Sequence, residues 1–144
     1  AETSIRALVP ALIAAARQHG NYNMLYNEIT SGSCREFAPE LAREIESRAA
    51  QLYTRLFETA KEAGALAPGL APEAAAFFFD NLLMMLQFSY SCDYYQHRMR
   101  LYCGENAAWN DEMMADQLTR FLLGAMRGEG SCNISLPTTS EPPA

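Results

Sequence analysis

Asp80, Gln87, Ser91 and Tyr94 follow one another at steps of seven, four and three along an otherwise apolar stretch, so a helix would gather them near one side. Met84 and Phe88 fall beside them. Buried polar groups among Phe and Met must be satisfied, and the partners on offer are each other, water or a ligand. For any one of them taken singly, an ordinary place in a core is the first reading. Asp80 makes the sharpest case, because a carboxylate on an apolar helix is costly unless it is paired. A cationic or hydrogen-bond-donating ligand would suit it. Tyr53 and Phe57, together with Tyr22 and Tyr26, are aromatic residues that could face this side from elsewhere in the chain.

Other reactive pairings are weaker. Asp93 and His97 are four apart, the spacing of an oriented imidazole or half a metal site, yet no third ligand stands nearby and a surface ion pair is expected. His19, beside Gly20, reads as a cation at a helix C-terminus. Cys34, Cys92, Cys103 and Cys132 contain no C-x-x-C pair and are too sparse for a disulfide scaffold, so free thiols in a reducing cytosol are expected. Cys103 has no basic partner in an arrangement suited to nucleophilic work. Gly128-Glu129-Gly130 precedes no helix and so makes no phosphate loop. The Phe77-Phe78-Phe79 and Tyr94-Tyr95 runs lack neighbouring cations and suit a core or a pocket better than base stacking. No enzyme activity, metal or cofactor is expected.

The elements that must position these residues are all helices, giving an all-α bundle of about five. Ile5, Leu8, Val9, Leu12, Ile13 and Ala16 have helical spacing, with Gly20 as the stop; Pro10 requires that the helix kink there or begin near Val9. A short element spans about Asn23 to Ser31 and ends at Gly32. Pro39 opens a long helix to about Ala63, striped by Leu41, Ile45, Ala49, Leu52 and Leu56 and widened by Tyr53 and Phe57. Its Glu40, Arg43, Glu44, Arg48, Arg55 and Glu58 form a solvated face. Gly64 ends this helix, and Pro72 starts one expected to run unbroken to Cys103. Asn110 caps the last helix, to Arg127, with Trp109 and Met114 placed as a hydrophobic staple. The domain is therefore 1–127. The Gly, Ser, Thr and Pro composition of 128–144 predicts a disordered tail.

Ala74-Ala75-Ala76-Phe77-Phe78-Phe79 and Leu82-Leu83-Met84-Met85-Leu86 leave the 72–103 helix almost no polar side. A helix apolar all round must be covered on several sides, and a chain of 144 residues has few elements to do so. A second subunit or a ligand is expected to take part of that surface. Asp80, Asn81 and Gln87 interrupt the run well short of the roughly 20 residues a bilayer requires, so no membrane association is expected. The net charge of -6, with 11 Lys and Arg, disfavours a direct grip on nucleic acid.

The order of these elements resembles the C-terminal regulatory domain of tetracycline-repressor-type (TetR family) bacterial transcription factors. The matching stretches are Ile5 to Leu12, Glu40-Leu41-Ala42-Arg43-Glu44-Ile45 to Phe57, Glu62-Ala63-Gly64-Ala65-Leu66-Ala67-Pro68 leading into Pro72, and Gln117-Leu118-Thr119-Arg120-Phe121-Leu122-Leu123-Gly124-Ala125-Met126. The resemblance covers Thr3 to Arg127. Its most specific part is the A-G-A-L-x-P step followed by the closing L-x-x-F-L-L-x-A-M helix.

Members of that family begin with a helix-turn-helix unit, which this sequence does not show; the expectation is a regulatory domain whose parent protein reads DNA through a separate N-terminal unit. The resemblance implies a homodimer in the cytoplasm, its last two long helices packed on their symmetry mates as a four-helix bundle through Leu118, Phe121, Leu122 and Ala125. It also implies a small-molecule effector pocket among the first, third and fourth helices. The residues expected to line it are Tyr53, Phe57, Asp80, Met84, Gln87, Phe88, Ser91 and Tyr94. The alternative function is a structural all-helical interaction module without a small-molecule ligand.

Overall fold

Ile5, Val9, Ile13 and Ala16 are buried at successive helical turns, and they hold the first helix, α1 (Glu2–Gln18), against the rest of the chain. The structure, a computed structural model, describes residues 1–107 and 110–127. These form six α-helices: α1, α2 (Gly20–Glu28), α3 (Ala38–Glu62), α4 (Pro72–Ser91), α5 (Asp93–Cys103) and α6 (Asp111–Arg127). Among the described residues there is no strand, and the all-α expectation holds. None of these helices is long and apolar enough to cross a membrane. Trp109 and the 128–144 segment, for which a staple and a disordered tail are expected, lie outside the described residues.

Pro10 neither delays α1 nor ends it. The helix runs from Glu2 through Pro10, whose exposed ring leaves the buried stripe untouched. The break after α1 falls at His19, one residue before the expected Gly20, which instead opens α2. Beyond α2 a π-helical turn, Ile29–Ser33, contains Gly32 at φ 128°, a left-handed conformation that favours glycine. Pro39 occupies the first turn of α3 as expected.

The buried side of α3 differs from the expected stripe. Phe57 and Ala60 are buried, with Tyr53 and Leu56 packed against the core, whereas Leu52 is 63% exposed and Ile45 is exposed as well. Aromatic rings decide this orientation. Phe79 of α4 meets Tyr53 edge-on at 5.0 Å and Phe57 at 5.5 Å, and such ring pairs add to the burial of their large area.

The expected single helix over 72–103 is two helices. Cys92 adopts an extended conformation (φ -114°, ψ 128°) between α4 and α5, so the axis changes direction there. Gly104 then ends α5 at φ 87°. Asn110 caps α6 as expected: its Oδ1 accepts a hydrogen bond from the Met113 amide at 3.1 Å.

α1 lies between α4 and α6, and the core runs from Ile5 and Val9 through Leu83 and Phe79 to Phe57. Two ion-pair clusters fasten its edges. Arg17 of α1 grips Asp111 of α6 at 2.8 and 2.5 Å, and its guanidinium lies 4.7 Å from the centre of the Tyr90 ring on α4. Glu2 accepts from Arg6 at 2.8 Å and also from Arg127 at the end of α6.

Candidate ligand-binding cleft

α4 presents three sides, and each meets a different environment. Ala75, Ala76, Phe79 and Leu83 enter the core. Phe78 is exposed, and Leu82, Met85 and Leu86 border α5 and α6, with Leu86 also packed against the core. Glu73, Phe77, Asp80, Met84 and Gln87 line a cleft closed on its other flanks by α2 and α3. The cleft lies where α2 and α3 approach α4 through large rings, Tyr26 on Phe88 (5.8 Å) near its C-terminal end and Tyr53 on Phe79 near its middle, leaving space between.

Two adjoining hollows share Tyr26, Glu46, Tyr53, Asp80 and Met84. One, of about 340 Å³, runs toward Thr54, Glu73 and Phe77. The other, of about 500 Å³, runs toward Tyr22, Ile45 and Gln87. Beyond Met84 and Phe88 a third, of about 660 Å³, continues under the π-helical turn to Cys34 and Arg35. These are volumes in which a small organic molecule fits.

Polar groups inside the cleft have an uneven share of partners. The Tyr26 hydroxyl donates to Glu46 Oε1 and lies 3.5 Å from Met84 Sδ. Asp80 has no hydrogen-bond or ion-pair partner among the described residues. Burial, and then the Glu46 charge, pushes its carboxyl above the ordinary carboxylate range. Burial also raises the Tyr53 hydroxyl, with Asp80 adding to it. The Tyr26 phenol is raised further by burial, by its bond to Glu46 and by the charges of Glu46 and Asp80. Among the described residues no Lys, Arg or His lines the two hollows around Asp80.

Of the eight residues expected to line a pocket, Tyr53, Asp80, Met84 and Gln87 do surround this cleft, and Phe88 closes its far end. Three stand elsewhere. Phe57 is 2% exposed and belongs to the core against Phe79. Ser91 fastens helices together: Asn23 Nδ2 donates to its Oγ at 2.8 Å, and that Oγ lies 3.3 Å from the Ala16 carbonyl, to which it donates. Tyr94 follows the break at Cys92, is 74% exposed and touches Tyr95. Glu46 is the charged α3 residue of the cleft that the expected set leaves out, along with Thr54, Glu73, Phe77 and Ile45. Its signal is spacing, since Glu46, Ala50 and Tyr53 share one side of α3.

Phe121 and Ala125 look outward from α6, Phe121 with 63% of its surface exposed, whereas Leu118 is half-buried against the chain's own core and Leu122 turns into it. A groove of about 370 Å³ separates α6 from α4 and α5; Leu82, Met85, Leu86, Tyr102, Leu118 and Phe121 line it. Asp93 and His97 are both exposed, and no ion pair joins them among the described residues. Cys34, Cys92 and Cys103 are free thiols. Among the described residues no group of three His, Cys, Asp or Glu side chains is placed to hold a metal ion. A further hollow of about 420 Å³ lies between α1 and α6. Of its charged lining, Arg6 pairs with Glu2, Asp111 with Arg17 and Asp116 with Arg120, while Glu112 makes no ion pair among the described residues.

No family model matches this chain, and neither a curated protein nor a solved structure matches it.

Proposed function

We propose that the chain is the effector-binding and dimerisation domain of a transcriptional regulator of the tetracycline-repressor type. In such a protein a helix-turn-helix unit elsewhere in the parent chain reads DNA. The observation that carries this reading is the division of labour on α4. One side lines a cleft sized for a small, partly apolar molecule, and another side carries apolar residues left uncovered. Leu82, Tyr102 and Phe121 line the outer groove and are exposed. Apolar surface gathered this way marks an interaction site, and a second copy of the same groove is the self-complementary partner a two-fold dimer uses. α2 and α3 form the cleft walls while α4 borders both cleft and groove. A ligand that favours one placement of α2 and α3 would shift how two subunits sit, by no more than its differential affinity for the two states.

Light scattering on the purified chain tests the dimer directly. A dimer at micromolar concentration is expected; a monomer there removes the main support. The parent regulator, retained on its operator duplex and released by a cleft ligand, is the corresponding test of the regulatory role.

A further inference from the structure

Resting on the reading of the cleft as an effector site, we infer that its ligand is an organic cation. Its charge would sit between Asp80, Glu46 and the rings of Tyr26 and Tyr53, with its apolar body along Met84.

The cleft supplies what such a molecule needs and lacks what other classes need. Two carboxylates on facing helices, Glu46 on α3 and Asp80 on α4, border the same two hollows, which no base lines among the described residues; Arg35 lines only the third, which Asp80 does not border. Asp80 is without a partner, whereas Glu46 is oriented by the Tyr26 hydroxyl. An uncharged ligand would cover Asp80 and strip its water without replacing it, which is costly for a carboxylate. An anion would meet two like charges at close range. A bare divalent metal takes six or more oxygen ligands in the case of calcium, and no cluster of three candidate ligands is present among the described residues. A delocalised or alkylated cation is weakly hydrated and is drawn to aromatic faces. Tyr26 and Tyr53 present such rings on two different helices. The hollows of about 340 and 500 Å³ leave room for a body larger than an ammonium ion.

Calorimetric titration of the full chain with three phenyl-bearing probes of different charge tests this at physiological ionic strength. The probes are tetraphenylphosphonium, uncharged triphenylphosphine oxide and anionic tetraphenylborate. The expected order is cation, then neutral compound, then anion, with the first step at least about tenfold, or about 1.4 kcal/mol. Asp80→Asn and Glu46→Gln should each weaken the cation several-fold and leave the neutral compound unchanged, with circular dichroism confirming the fold. Equal binding of cation and neutral compound overturns the cation assignment while leaving the cleft as an effector site. So does a cation preference that survives both substitutions together, since it would then come from the chain's net charge. Failure of all three probes to bind overturns the assignment and the effector reading with it. If either variant misfolds, the comparison of the three probes on the unmodified chain decides.

Discussion

The cleft side and the outer side of α4 are cut from one sequence of large apolar residues, yet they are built differently. On the cleft side, Asp80 and Met84 stand among the rings of Tyr26 and Tyr53 and the Glu46 carboxylate, contributed by α2 and α3. On the outer side, Leu82, Met85 and Leu86 stand beside Met114, Leu118 and Phe121 with few charges near them. The first side mixes hydrogen-bonding atoms into an apolar wall, as orienting groups in a pocket do; the second is suited to burial against a surface like itself. The difference shows that the apolar content of a helix does not reveal what it will meet. The polar residues scattered through it do.

Substitutions can separate the two sides. The largest effect is expected where both rest on the core. Phe79→Ala removes the ring that carries Tyr53 and Phe57, and should cost about 3–5 kcal/mol of stability, read by urea denaturation. A loss confined to one side, with an unchanged unfolding midpoint, would show that the two sides do not share this support. Phe121→Glu should leave the fold intact, because the ring is largely exposed. It should weaken dimer association by about 2–4 kcal/mol, seen as monomer in sedimentation; an undisturbed dimer would place the interface elsewhere. On the cleft side, Tyr26→Phe deletes the hydroxyl that serves Glu46 and should cost about 1 kcal/mol, with no change in oligomeric state.

The smallest effect is a contrast in pH dependence. Asp80 titrates above its ordinary range, so the folded state binds this proton more tightly than the unfolded state. Stability attached to Asp80 is therefore highest in acid and falls as pH rises through the ordinary carboxylate range toward the raised value. Asp111 behaves oppositely. Its hydrogen bonds to Arg17 lower its pKa, so its contribution is present above the ordinary range and is lost as pH falls through the depressed value. Melting curves of Asp80→Asn and Asp111→Asn against pH should accordingly depart from the unmodified chain in opposite directions. Asp80→Asn should be the more stable at neutral pH, and a matching departure by both variants would remove the distinction.

Periodicity made α1, α3 and α6 legible in the sequence, and Gly64, Pro72 and Asn110 marked real boundaries, whereas Gly32 lies inside the π-helical turn and α2 ends earlier, at Glu28. The choice between two overlapping apolar arcs on α3 was not legible. Leu52 and Ile45 are as hydrophobic as a core position requires, but the rings of Tyr53 and Phe57 find Phe79 across space and turn the helix toward it. The break at Cys92 left little trace either, because Ser91-Cys92-Asp93 contains neither glycine nor proline. That break is why Tyr94 fell out of the cleft and why a count of turns from Asp80 misled there. Asp80, Met84 and Gln87 were placed together by helical spacing alone, since all three precede the break. Glu46 was hidden among the charges of α3, because its partner Tyr26 is 20 residues away.

The joint at Cys92 also carries its own reporter. The Cys92 thiol is half-buried and burial raises its pKa, whereas Cys103, one helix further on, is exposed. The thiolate is the reacting form, so alkylation should modify Cys103 promptly and Cys92 at a rate governed by how often α4 and α5 part. Mass spectrometry of the labelled chain would then time that opening residue by residue, with and without a molecule in the cleft, and without altering a single atom of the protein beforehand.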